Sequence, residues 1–399
     1  MNFFEQKPRV FPQNWGLLPY VVLAIVLGVA CGIFFPAWLA RIFVTFNGLF
    51  AQFLDFIIPL IILGLIAPGI AELGRDAGKM LLATVALAYG FTLFAGFFAY
   101  GTATLVYPWI LHPASSLTVF EAPQELTAYF SLGMTPMFDV VTALVLAFVL
   151  GLGMAFTGGE TLKKAMFDFR SIIYKVIAKV IIPLLPLYIF GIFLNMTISG
   201  QVVTVLEAFA KLIVLLFILT LIMLLLQFAI AGLVAKKNPF KMLKIMLPAY
   251  FTALGTSSSA ATIPVTYRQV QLLGVREGVA GFTVPLCASI HMSGSTIKIT
   301  TCAFAIILMT GGQIEFWQFA GFICMLGVSI VAGPGVPGGA IMAALGVLQK
   351  MLGFNEQMLG LMIALYIAMD SFGTACNVTG DGAIAVIVDK LYPEKNNYI

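Results

Sequence analysis

Asp370, Thr374, Asn377 and Asp381 step by four, three and four residues along one apolar stretch. On a helix that spacing puts all four side chains on one face. Two carboxylates in such a stretch are costly to bury, and intramembrane carboxylates read as functional by default. One could pair with an ammonium group, and the other with a metal cation that also takes the Asn377 carbonyl oxygen. The structural alternative pairs each carboxylate with a lysine.

Three further clusters carry polar chemistry in apolar surroundings. The run His291-Met292-Ser293-Gly294-Ser295-Thr296-Ile297-Lys298 interrupts a long hydrophobic segment. Lys298 lies too deep to snorkel comfortably, so a partner or substrate is expected for it. His291 is one of two histidines and reads either as a satisfied core residue or as a proton carrier near neutral pH. In Gly255-Thr256-Ser257-Ser258-Ser259-Ala260-Ala261-Thr262-Ile263-Pro264, four consecutive hydroxyl residues offer hydroxyls and exposed amides to anionic oxygens at a helix end. The alternative there is small residues for close helix packing. In Gly333-Pro334-Gly335-Val336-Pro337-Gly338-Gly339, two prolines and four glycines break a helix and free backbone groups that could coordinate a cation and cap a substrate. Asp55 and Asp139 are also intramembrane carboxylates by this reading, with no role assigned.

The elements that position these groups follow from composition. Of 399 residues 61% are hydrophobic and 10% charged, with a mean hydropathy of +1.05. Soluble domains carry about a quarter charged residues, so lipid must face much of this chain. The net charge of +4 is too slight and scattered for nucleic acid. Cys31, Cys287, Cys302, Cys324 and Cys376 lack paired spacing and read as small core residues rather than a disulfide or zinc framework. The polar residues 1–15 show no cleavable signal peptide. With about 20 apolar residues needed per crossing, spans are expected at Gly16–Phe35, Ile42–Ile70, Met80–Tyr107, Ser131–Phe156, Lys179–Ile198, Val202–Val234, Val275–Met309 and Met358–Val388. Met242–Thr266 and Phe319–Leu352 are apolar but broken by Gly, Pro and Ser. Treating both as re-entrant places most Lys and Arg on the side of the N-terminus, as the positive-inside rule requires. Only Arg41 and Lys350 then lie outside. The expected fold is an all-α polytopic membrane protein of eight transmembrane helices and two opposed re-entrant helical hairpins. Residues 1–240 would form a six-span scaffold, its third and sixth spans flanking a transport core over 241–399. Within that core, hairpin 1 is near 242–266, span 7 near 275–309, hairpin 2 near 319–352 and span 8 near 358–388. Irregular backbone at membrane depth is tolerated where it lines a cavity, and transporters place their substrate there.

At these residues the chain resembles the dicarboxylate/amino acid:cation symporter family, the glutamate transporter homologues. The resemblance is specific in about the last 150 residues: Ser257–Ser259 followed by Thr262-Ile263-Pro264-Val265-Thr266, the Gly335-Val336-Pro337-Gly338 tip, and Asn377-Val378-Thr379-Gly380-Asp381. Earlier residues match mainly in span count, with Tyr89 and Thr92 as cation-ligand positions. The resemblance implies a homotrimer, a fixed trimerisation scaffold, a transport domain that slides as an elevator, one substrate per protomer, and coupling to sodium or protons without a cofactor. It implies that Asp370 binds the substrate α-amino group. Asn377, the Ser257–Ser259 tip and the Val336–Gly338 backbone would hold its α-carboxylate, and Thr374 and Ser295 would line the pocket. Asp381 and Asn377 would form one sodium site and the second-hairpin backbone another.

Three departures bear on substrate and ion. Gly373 stands where acidic-substrate members carry an arginine. His291-Met292-Ser293-Gly294-Ser295 replaces an Asn-Met-Asp-Gly-Thr pattern, and Leu93 replaces a hydroxyl ligand. Lys298 stands where a tyrosine is frequent. Lys298 either replaces the arginine as a point charge for an acidic amino acid or dicarboxylate, or acts as a built-in cation beside a neutral pocket at Gly373. The second reading, import of a neutral or small amino acid by cation symport across the cell membrane with both termini cytoplasmic, is preferred because Gly373 removes the clamp. An ion channel would need a continuous pore, which two occluding hairpins argue against. An intramembrane enzyme would need a paired nucleophile and base, which the sequence lacks.

Overall fold

The computed structural model describes residues 17–73, 79–110, 126–138, 140–157, 160–200, 202–331 and 337–392. Every regular element among them is helical: α1 (Leu17–Phe34), α2 (Ala37–Leu73), α3 (Lys79–Ile110), α4 (Val140–Thr157), α5 (Glu160–Val176), α6 (Ile182–Ile198), α7 (Val202–Ala235), α8 (Pro239–Thr256), α9 (Ser259–Leu272), α10 (Glu277–Ile290), α11 (Ser293–Met309), α12 (Phe316–Val331), α13 (Gly339–Leu352), α14 (Glu356–Ala368) and α15 (Asp370–Leu391). Six continuous stretches are long and apolar enough to cross a membrane, and five shorter helices are apolar. The exterior is apolar too: Val26 on α1, Val149 on α4 and Leu233 on α7 are exposed. With so few charges in the chain, that surface requires lipid, and the molecule is a multi-pass membrane protein.

The expected spans differ from the helices at four places. The fourth begins at Val140 rather than near residue 131, because 131–138, with Gly133 and Pro136, is irregular. The fifth is the second half of a longer rod. Its first half, α5, is amphipathic, carrying Lys163, Lys164, Arg170 and Lys175 while Met166 and Ile173 are buried. Gly64 of α2 makes room there, since a β-carbon on it would lie 2.8 Å from Ile173 Cγ1. The rod passes into α6 through one wide turn, Ile177–Ile181, whose Ile182 N–H reaches the Ile177 carbonyl. Pro183 follows at once. Its ring crowds the carbonyl four residues back and it offers no N–H, which the looser turn accommodates. The seventh span is two helices, α10 and α11, parted at His291-Met292, and the eighth is α14 and α15, parted at Met369.

Helices α8 and α9 are joined by two residues and pack together, as do α12 and α13, while α15 touches α7, α8, α9, α10 and α11. Burial is deepest in this C-terminal part. Nearly all of α11, including Lys298, and most of α15 are buried. Cys287, Cys302 and Cys376 lie in that interior, whereas Cys31 is half-buried and Cys324 exposed, so the core reading fits three of the five.

Candidate functional site

The site begins where helices stop. Asn238 caps α8 by accepting from the Phe240 and Lys241 amides, and the helix ends at Ser257, which takes the left-handed conformation (φ 48°). A non-glycine residue there is uncommon and marks a constrained turn. Ser258 then caps α9 by accepting from the Ala261 N–H. The Ser257 hydroxyl is 2.7 Å from the Ser371 hydroxyl, and Ser259 is buried. The tip is thus tied to the first turn of α15.

The second tip meets the neighbouring residue. Gly338 has φ +75°, which glycine adopts without strain, and its N–H donates to Asp370 Oδ2 at 2.8 Å. Val336 lies outside the described residues, as does Asp139. The other Asp370 oxygen, Oδ1, is 3.1 Å from Lys298 Nζ. Lys298 also sits 3.7 Å from the centroid of the Tyr366 ring, a cation–π contact of the kind strengthened by desolvation. Its stem lies across Gly373: a β-carbon there would touch Lys298 Cε and stand 2.6 Å from Nζ. The space expected to be a neutral pocket at Gly373 is therefore filled by Lys298. Thr374, one turn after Asp370, is buried.

The middle of α15 organises the α10–α11 break. Met292 cannot cap α11 with its own side chain. Asn377 does so from across the interface, its Oδ1 accepting from Gly294 N at 2.7 Å and Ser295 N at 3.4 Å. Its amide nitrogen faces Ser295 Oγ at 3.1 Å and Met292 Sδ at 3.6 Å, and Ser295 Oγ is 3.2 Å from the Tyr366 hydroxyl. Gly294 allows the approach, because a β-carbon there would lie 2.7 Å from Cys376 Cβ and touch the Gly373 carbonyl. From α3, the Thr92 hydroxyl accepts from Met292 N at 3.1 Å. Tyr89 does not join it, since its hydroxyl donates to the Cys324 carbonyl on α12 at 3.1 Å.

Asp381 and Asn377 do come together, but around a side chain. His291 Nδ1 stands 2.9 Å from Asp381 Oδ1 and 3.1 Å from the Asn377 carbonyl, with both side chains essentially inaccessible. Its Nε2 is 2.9 Å from the amide nitrogen of Gln227, which also donates to Ser293 Oγ at 3.2 Å. That partner set suits a ring carrying its proton on Nδ1. Gln227 Oε1 has no hydrogen-bond partner among the described residues. A β-carbon on Gly380 would lie 2.5 Å from both Gln227 Oε1 and His291 Cε1, so this glycine makes room for the pair.

Sequence reasoning missed Gln227, Tyr366 and Ser371. Gln227 had a signal, as the one amide in the apolar run of α7, and a buried amide needs partners. Tyr366 lies four residues before Asp370, a helical step that its apolar neighbours hide. Ser371 is one residue off the predicted face, and only the fold brings Ser257 to it.

The profile of the sodium:dicarboxylate symporter family matches residues 17–391. The chain is 27% identical over 397 residues to a serine/threonine transporter SstT of Acinetobacter baumannii, covering 95% of this chain and 98% of that one. It is 29% identical over 343 residues to a protein of the same name from Streptococcus suis, covering 83% and 94%. With human excitatory amino acid transporter 2 it shares 27% over 279 residues, 68% of this chain and 48% of the human one.

Proposed function

Because this chain belongs to the sodium:dicarboxylate symporter family, we propose that it imports a small, neutral amino acid by cation-coupled symport. It is a transporter and not an enzyme. The observation that carries the reading is the junction at Asp370-Ser371: Asp370 binds the Gly338 N–H of one broken helix pair, and Ser371 meets Ser257 of the other. Two tips closing on adjacent residues of one helix suit a site that is sealed from either side in turn. In this reading α8–α9 and α12–α13 are re-entrant hairpins of opposite orientation among eight spans. The substrate ammonium is held by Asp370 and its carboxylate by the Ser257–Ser259 tip and the Val336–Gly338 backbone. Residues 241–399, flanked by α3 and α7, move as an elevator against a trimeric scaffold in the cell membrane, with both termini cytoplasmic. Lys298 in the Gly373 notch leaves little room for a long side chain, and two of the relatives are named for serine and threonine.

The family description names sodium, which makes sodium the first coupling ion to test, at the second-hairpin backbone and at Asp381 with Asn377. One observation favours a proton instead: the His291 imidazole bonds both Asp381 and the Asn377 carbonyl, the two groups expected to hold the metal.

The experiment is uptake of labelled serine, alanine, aspartate and succinate into proteoliposomes under an imposed sodium gradient or, separately, a proton gradient. Accumulation of serine or alanine under either gradient is expected. Accumulation of aspartate or succinate alone would reverse the substrate assignment, and none under either gradient would refute symport.

A further inference from the structure

Asp370 has two claimants in the proposed cycle. The substrate ammonium needs it when the site is loaded, yet Lys298 Nζ lies 3.1 Å from it. The lysine is built into this place from three sides: the Gly373 notch holds its stem, the Tyr366 ring covers its charge, and Asp370 faces it. Its side chain is fully inaccessible and that of Asp370 nearly so, so each charge depends on the other more than on solvent. A buried carboxylate left single is strongly unfavourable, whereas a paired one is tolerated.

We infer that Lys298 is a tethered counter-ion that replaces the substrate ammonium at Asp370 when the site empties, so that the unloaded carrier can cross the membrane. The inference rests on the symport reading above and adds the return half of its cycle. On loading, the substrate ammonium takes over the Asp370 oxygen and Lys298 stays against the Tyr366 ring. On release, Lys298 returns to Asp370, and the closed arrangement with Gly338 on the other oxygen is restored. Net uptake needs the empty carrier to return. Exchange of internal for external substrate does not, because the carrier then crosses loaded in both directions.

The test compares the two modes in one preparation. Proteoliposomes are either empty or preloaded with unlabelled serine, and entry of labelled serine is measured in both under the same cation gradient. In Lys298→Met the ratio of net uptake to exchange is expected to fall at least tenfold relative to wild type. Gly373→Ala is the second variant and decides the matter if Lys298→Met cannot be purified folded. Its new methyl would stand 2.6 Å from Nζ and 2.9 Å from Cδ, displacing the ammonium, and the same ratio is expected to fall at least threefold. A ratio equal to wild type in the folded variant would overturn the inference. Absence of both modes in wild type would refute the symport reading itself, and the inference would go with it.

Discussion

Placing an arginine at Gly373 is expected to fail unless Lys298 is removed at the same time. The resemblance makes Gly373→Arg the obvious route to an acidic substrate, since acidic-substrate members carry arginine there. The structure sets two obstacles. Any β-carbon at this position touches Lys298 Cε and lies 2.6 Å from Nζ, so the lysine must leave the notch before the arginine fits. The two cations would then share one buried region. At a separation of about 4 Å and an effective dielectric of about 20, their repulsion is about 4 kcal/mol. Asp370 offers one carboxylate, and its Oδ2 is already engaged by Gly338, so it cannot neutralise both. A cost of about 4 kcal/mol corresponds to roughly a thousandfold loss of affinity. Gly373→Arg with Lys298→Tyr removes the steric and electrostatic terms together. The assay is a double-mutant cycle on aspartate binding by purified protein, with labelled aspartate uptake in proteoliposomes as the functional counterpart. The expected result is strong coupling: no aspartate uptake with the single arginine, and uptake with the pair. If Gly373→Arg alone folds and accumulates aspartate as well as the double variant does, the claim that Lys298 occupies the notch is wrong.

Three other perturbations probe the neighbouring contacts. Gly380→Ala puts a methyl 2.5 Å from His291 Cε1 and Gln227 Oε1, and overpacking of about 1–3 kcal/mol should lower the unfolding temperature in detergent, while Gly353→Ala, with open space around it, tests only its positive φ. Gln227→Leu leaves His291 Nε2 and Ser293 Oγ without their donor, at about 1–3 kcal/mol. It should alter which cation gradient drives uptake, and an unchanged cation dependence would count against a coupling role for the His291 cluster. Asp370→Asn removes the charge facing the buried Lys298. Breaking one half of a buried pair costs about 3–5 kcal/mol of stability, and because the substrate ammonium also loses its partner, serine binding measured by calorimetry should be lost even if the protein stays folded.

A good part of this molecule was open to reading from the chain alone. Charge and hydropathy determined that it sits in lipid, because a surface with so few charges cannot face water. The glycines and prolines before Gly339 marked the second tip, because they weaken backbone hydrogen bonding locally. The serine run marked the first, where Ser257 and Ser258 part the helices while Gly255 and Pro264 stay inside them. The step of four, three and four determined that Asp370, Thr374, Asn377 and Asp381 share a face, because helical periodicity is local. What those groups touch was decided only by the tertiary structure. The sequence cannot say that Asn377 caps another helix, that Tyr89 turns to α12, that Gln227 crosses from α7 to His291, or that Lys298 fills the room Gly373 leaves. These are contacts between residues 64 to 235 positions apart, and packing selects among the partners that local chemistry leaves open. The same physics explains the misplaced start of α4 and the wide turn before α6. Hydropathy measures whether a segment tolerates lipid, not whether its backbone is helical throughout.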